Sequence, residues 1–150
     1  MTQLAGSVGP PAEAVLIETS AWVAFLRGSD DAIADAVESA LADGVLTCDA
    51  VRMEVLAGAR DEVHLARLRA LLGRAKLIPT NSVDYQRAAL LYRTCRRSGA
   101  TVRNMIDCLI AAIAIRSGAA VLHADRDFTA LAQHTQLQVH PASATHMPDR

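Results

Sequence analysis

The segment Met105–Ile115 reads Met-Ile-Asp-Cys-Leu-Ile-Ala-Ala-Ile-Ala-Ile, apolar throughout except for Asp107. Apolar on every face and followed by Gly118, it is expected to be a buried helix, so the rest of the chain must supply elements to cover it. A lone carboxylate in such a helix is costly. It must neutralise, meet a cation brought from elsewhere, or coordinate a metal, because the run holds no Lys, Arg or His. Asp107 therefore marks a site, at a solvent cleft or opposite something positive.

Around this run, short apolar stretches alternate with longer segments of helical period, the pattern of an α/β domain with a mainly parallel central sheet flanked by helices on both faces. The expected strands are 14–17, 45–48, 76–79, 119–123 and 137–140, the last at an edge. The expected helices run from Thr19 or Ser20, as cap, to Leu26, then over 30–41, from Asp49 to Gly58, over 61–72, 82–97 and 102–116, and from Phe128 onward. Residues 1–13, rich in Gly, Pro and small side chains, are expected to form a disordered extension, and 141–150 a flexible tail, leaving one folded domain over 14–140.

At 150 residues with 51% hydrophobic and only 3% aromatic composition, one domain can bury a core of Leu, Ile, Val and Ala, and aromatic base-stacking platforms are excluded. The formal net charge of −1 excludes a global basic field, so any nucleic-acid contact needs a local patch. Cys48, Cys95 and Cys108 form no CxxC pair and read as reduced thiols. With no secretory signal and no apolar stretch long enough to span a bilayer, a soluble cytoplasmic protein is expected.

The acids have addresses. Glu18 lies just past the first strand, and Asp125 and Asp127 just past the fourth, where open parallel sheets bind ligands. Glu54 and Asp107 sit on helices among apolar neighbours. Five carboxylates converging on one crevice would repel unless a divalent cation neutralised them, and an all-oxygen set suits Mg²⁺ or Mn²⁺. Ions so held activate water for phosphodiester displacement. Each acid also has an ordinary reading: Asp125 and Asp127 as helix-start acids, Glu18 as a strand-end acid, Glu54 as a partner of Arg52 or Arg60. Asp107 is the hardest to explain that way. No GxSxG, Walker, GxGxxG or HExxH motif competes. A phosphoacceptor receiver domain also clusters acids, but Asp49 and Lys76 do not fit its required positions.

The segments LIETSAWVAFLRG, VRMEVLAGAR, DCLIAAIAIRSG and VLHADRDFTAL, in that order, make the chain similar to the PIN-domain endoribonucleases of the VapC type, toxins of bacterial type II toxin-antitoxin pairs. The resemblance runs from Val15 to about Val139. It implies a PIN-like single domain and Mg²⁺-dependent cleavage of structured RNA of the tRNA or rRNA class. It also implies a homodimer and inhibition by a cognate VapB-like antitoxin. By position it makes Glu54, Asp107 and Asp125 metal-binding acids, adds Asp127 to the cluster and puts Thr19 or Ser20 beside it. With Glu18 these acids form the expected catalytic set, and Glu18, Asp107 and Asp125 are the expected ligands of the ion. The family's first strand normally ends in Asp, whereas here Glu18 stands there, moving the carboxylate by roughly 1.5 Å where Mg²⁺ tolerates little geometric error. Two readings follow: an active nuclease, or a catalytically impaired PIN-like module that binds RNA or an antitoxin.

Arg93, Arg96, Arg97 and Arg103 cluster before the Asp107 helix, and Arg126 lies between two acids. They are candidates for gripping RNA phosphates, against the plainer reading of a solvated helix end. Trp22 and Phe25 share a side of the first helix with Leu26. This reads as core, and the resemblance makes the same region help receive the antitoxin.

Overall fold

The structure, a computed structural model, describes residues 14–29 and 31–144; the extension expected over 1–13 lies outside them. Five parallel strands form one sheet in the order β3-β2-β1-β4-β5: β1 (Val15–Ile17), β2 (Leu46–Thr47), β3 (Lys76–Leu77), β4 (Ala120–Leu122) and β5 (Gln138–Val139). All pairings are parallel, and both weakly expected short strands, β3 and β5, are the edges.

The connections run from β1 leftward through α1 (Thr19–Leu26) and α2 (Ala32–Asp43) to β2, then through α3 (Asp49–Ala57) and α4 (Glu62–Leu72) to β3. The chain then crosses back through α5 (Ser82–Arg97) and α6 (Met105–Ser117) to β4, and through α7 (Arg126–His134) to β5. Right-handed crossovers that advance in opposite directions place their helices on opposite faces. They also create a switch point between β1 and β4, where a parallel sheet opens a crevice at its carboxyl ends.

The Asp107 run is α6, and it is buried as expected: Ile110, Ala111, Ile113 and Ala114 are 0% exposed. Burial of each of the two isoleucines contributes about 1.5–3 kcal/mol. Gly118 ends α6 in the left-handed region at φ 66°, which a side chain would strain. The helix starts at Met105, not at Val102, because Asn104 turns its side chain to accept from the Ile106 N–H and so caps it.

Further starts differ from the expected ones: the helix expected over 30–41 is α2, which begins at Ala32 because the Asp31 side chain accepts from the Ala34 N–H at 2.8 Å and caps it. Glu18, not Thr19 or Ser20, is the N-cap of α1, its carboxylate accepting from the Ser20 N–H at 2.9 Å. Asp125 caps α7 through the Asp127 N–H at 2.9 Å, which brings the helix forward to Arg126. The tail expected from 141 begins instead with a turn of helix, α8 (Pro141–Ala144), opened by a proline at its first position. Its Ser143 hydroxyl accepts from the His123 N–H at 2.7 Å and donates to the His123 carbonyl at 2.8 Å, tying α8 to the end of β4. Among the described residues no helix is long and apolar enough to cross a membrane.

Candidate active site

At the switch point the chain forms an open cleft of about 720 Å³. Glu18, Glu54, Asp107, Asp125 and Asp127 all line it, with Thr19, Ser20, Arg103, Asn104 and Arg27. Glu18 arrives from the end of β1 and Asp125 and Asp127 from beyond β4. The two strands are held together past their last residues by the Glu18 N–H, which donates to the Leu122 carbonyl at 3.0 Å.

Side-chain hydroxyls fix this junction. Ser20 Oγ donates to Glu18 and accepts from the Ala124 N–H at 2.8 Å. Thr19 Oγ1 donates to Glu54 at 2.8 Å, linking α1 to α3. Behind Asp125, His123 is buried, stacks obliquely on Phe128 with ring centroids 5.3 Å apart, and accepts from the Asp125 N–H at 3.1 Å through Nδ1.

Within the cleft, Asp107, Asp125 and Asp127 each bring an oxygen so that all three lie within 4.8 Å of one another. Asp107 and Asp127 are each 5% exposed. Burial, reinforced by repulsion from Glu18, Asp125, Asp127 and Glu54, pushes the Asp107 carboxyl up to about 8. Burial likewise pushes Glu18 up to about 7, against the opposing pull of its Ser20 hydrogen bonds. Among the described residues no donor reaches the Asp107 carboxylate. Arg103 acts on it through space but makes no hydrogen bond to it.

Such a donor set fits a divalent cation. It offers only carboxylate oxygens, closely grouped, and one of them is a buried acid with no counter-charge of its own. The acids whose oxygens group within 4.8 Å are Asp107, Asp125 and Asp127; Glu18, of the expected trio, lines the same cleft and acts on Asp107, with its Oε2 bonded to Ser20 where it caps α1.

Of the expected arginine patch, Arg103 lines the cleft, whereas Arg93, Arg96, Arg97 and Arg126 are exposed and are not among its lining residues. Arg103 bonds the acids directly: Nε reaches Asp127 Oδ2 at 3.1 Å and the terminal NH2 reaches Asp125 Oδ1 at 3.1 Å. Arg27 and Asn104 are cleft residues that the sequence reading missed. The dipeptide Arg103-Asn104 immediately before an apolar helix was a usable capping signal for the latter; Arg27 carried none. Trp22 is 0% exposed and belongs to the core, leaving Phe25, half-buried beside it, and Leu26, 42% exposed, as the accessible part of that face.

The PIN domain family matches residues 15–133, a span that includes every acid of the cleft. Over 83% of this chain and 96% of their own length, Ribonuclease VapC11 of Mycobacterium tuberculosis and VapC ribonuclease Mb1587 of Mycobacterium bovis are 41% identical to it. The chain is a PIN domain of the VapC type. Solved structures share the fold at low identity. VapBC2 from Rickettsia felis, bound to a DNA fragment from its promoter, superposes with a TM-score of 0.70 at 18% identity, covering 85% of this PIN domain and 97% of that chain. FitAB bound to the IR36 DNA fragment gives 0.69 at 18% identity over 84% and 93%. Mycobacterium tuberculosis VapC20, a Sarcin-Ricin loop cleaving toxin, gives 0.57 at 18% identity over 78% and 94%.

Proposed function

We propose that this PIN domain is a divalent-metal-dependent endoribonuclease toxin, acting on structured RNA of the tRNA or rRNA class in the cytoplasm and restrained by a VapB-like antitoxin. The observation that carries the reading is the grouping of Asp107, Asp125 and Asp127 oxygens within 4.8 Å at the carboxyl ends of β1 and β4. The ribonuclease names of its relatives support the substrate, and the VapBC complexes among its fold neighbours support the partner.

Asp107, Asp125 and Asp127 would hold Mg²⁺ or Mn²⁺. Bound there, the ion would supply a lowered water pKa and neutralise charge developing on the phosphodiester. The residues of the chain do the rest. Glu18, with Oε2 bonded to Ser20, has Oε1 left to take a proton from the attacking water. Water oxygen bonds to phosphorus as its proton passes to Glu18, the bond from phosphorus to the leaving ribose oxygen breaks, and that oxygen takes a proton from solvent in the open cleft while Glu18 returns its own to solvent. Glu54, fixed by Thr19, keeps the far wall of the cleft negative, and Arg27 stands at its rim to receive a phosphate. The five acids impose charge repulsion on an incoming RNA backbone, so a bound cation is required for approach as well as for chemistry.

Incubation of purified protein with structured RNA and Mg²⁺ or Mn²⁺ should give discrete cleavage that EDTA stops and Asp107→Asn abolishes. Cleavage persisting in Asp107→Asn overturns the site. A second reading, an impaired module that binds RNA or antitoxin, is favoured by the commitment of Glu18 Oε2 to Ser20. Absence of cleavage by both the wild type and Glu18→Asp would support it.

A further inference from the structure

Among the described residues two arginines form ion pairs, Arg116 with Asp84 and Arg103 with both Asp125 and Asp127, and the two are built differently. Arg116 donates to both oxygens of Asp84 at 2.8 and 2.9 Å and to the Pro79 carbonyl at 2.7 Å; its side chain is 26% exposed and Asp84 is 0% exposed. That is a closed clamp between α5, α6 and the loop after β3. Arg103 instead reaches over the cleft from the loop before α6. Its side chain is 55% exposed and its donors end only on carboxylates of the acid group.

The carboxylates it bonds are two of the three that would hold a cation. Nε lies 3.3 and 3.1 Å from the two Asp127 oxygens, and the terminal NH2 lies 3.1 Å from Asp125 Oδ1. Two of the three grouped carboxylates thus share the single charge of the guanidinium, while Asp107 accepts no hydrogen bond from it. We propose that Arg103 is a built-in placeholder for the divalent cation: its guanidinium holds Asp125 and Asp127 together in the metal-free site and leaves them when the ion is seated.

The proposal rests on the metal reading above and adds to it a residue that opposes loading. A flat fork can satisfy two carboxylates but not a third that faces it from a buried helix, whereas a compact divalent ion can draw on all three. Departure is feasible without being free: an arginine this exposed is rehydrated as it swings out, and what it gives up is its contacts with the two acids. The backbone N–H of Arg103 also donates to Asp127 Oδ2 at 3.3 Å, so Asp127 keeps a main-chain tie after the side chain has gone. The freed fork then stands at the cleft mouth, able to take a phosphate.

The test is Mn²⁺ binding by titration calorimetry to the full chain, with thermal unfolding measured in EDTA and in saturating Mn²⁺, for wild type, Arg103→Gln and Arg103→Lys. Arg103→Gln should bind Mn²⁺ about tenfold more tightly, the scale of one charge-assisted hydrogen-bonded contact removed from competition. Metal-free Arg103→Gln should melt below wild type, and saturating Mn²⁺ should close that gap. Arg103→Lys, which keeps the charge but loses the fork, should fall between the two in affinity. Unchanged or weaker Mn²⁺ binding by Arg103→Gln, or an equal melting deficit with and without Mn²⁺, makes Arg103 a permanent clamp and overturns the proposal. Equal affinity of Arg103→Lys and wild type reduces it to a distant charge, which also overturns it. If wild type binds no Mn²⁺ at all, the metal reading falls as well, which separates the two failures.

Discussion

Ser20 Oγ accepts a hydrogen bond from the Ala124 N–H at 2.8 Å while donating to the Glu18 carboxylate, so one hydroxyl joins the segments that follow β1 and β4. Ser20→Ala removes both bonds. It should cost about 1–2 kcal/mol of stability, the penalty for a stranded N–H and a less satisfied acid. Because the Oγ bond helps the Ser20 N–H hold Glu18 down against its burial, the variant should also move the acid limb of the pH–rate profile upward. A chemical denaturation curve and a cleavage profile against pH test the two effects separately.

Asp107→Asn should abolish cleavage and yet stabilise the metal-free protein at pH 8 or above, where the native acid is ionised without a counter-charge. The expected signature is a melting temperature raised by several degrees in EDTA. Equal or lower melting of the variant in EDTA would mean that Asp107 is not under electrostatic strain.

The same strain predicts a pH dependence. Glu18 and Asp107 are raised from 4.5 to about 7 and from 3.8 to about 8, so between about pH 4 and 8 the folded state binds more protons than the unfolded chain. Stability of the metal-free protein therefore falls as pH rises through that window. The contribution is fully present below the unfolded values and is lost by the folded ones. Saturating Mn²⁺ should flatten the decline, and Mn²⁺ affinity should itself rise with pH up to about 8, as bound protons cease to compete. Melting curves in EDTA and in Mn²⁺ across this range check both slopes.

Glu18→Asp should fold normally, since Asp caps a helix at least as well as the native residue does. The shorter side chain withdraws the carboxylate toward β1. If the longer one handicaps the site, single-turnover cleavage should increase by about tenfold or more, consistent with an acid placed better by roughly 1 Å. A decrease would mean that this cleft is adapted to glutamate.

Arg116→Met strands Asp84 as a fully buried carboxylate and should cost about 3 kcal/mol, although it lies far from the acid cleft. Mn²⁺ affinity of the folded fraction should be unchanged. Urea denaturation and calorimetry on the same preparation separate the two readouts.

Much of the fold was legible because its determinants are local. The all-apolar character of 105–115, the strand–helix alternation and the glycines that stop the helices each act within a few residues. Helix α5 was bounded correctly at both ends by such signals. Differences arose where a side chain chose its partner in space. Glu18 reads as a strand-end acid until the chain turns at Thr19 and makes it the cap of α1. The one-turn helix after Pro141 is too short to carry a period, and only its Ser143 bonds to His123 give it a place.

The sequence by itself determined that Asp107 stands alone in an apolar helical run, where it must neutralise, face a solvent cleft or meet positive charge. It also determined which acids would stand past the strands. Only the tertiary structure decided how they meet: Asp107, Asp125 and Asp127 grouped, Glu18 beside Asp107 with one oxygen bonded to Ser20, and Arg103 laid across Asp125 and Asp127. That choice depends on the order in which β1 and β4 lie side by side and on ångström-scale competition among donors. Neither is written in any single segment of the chain.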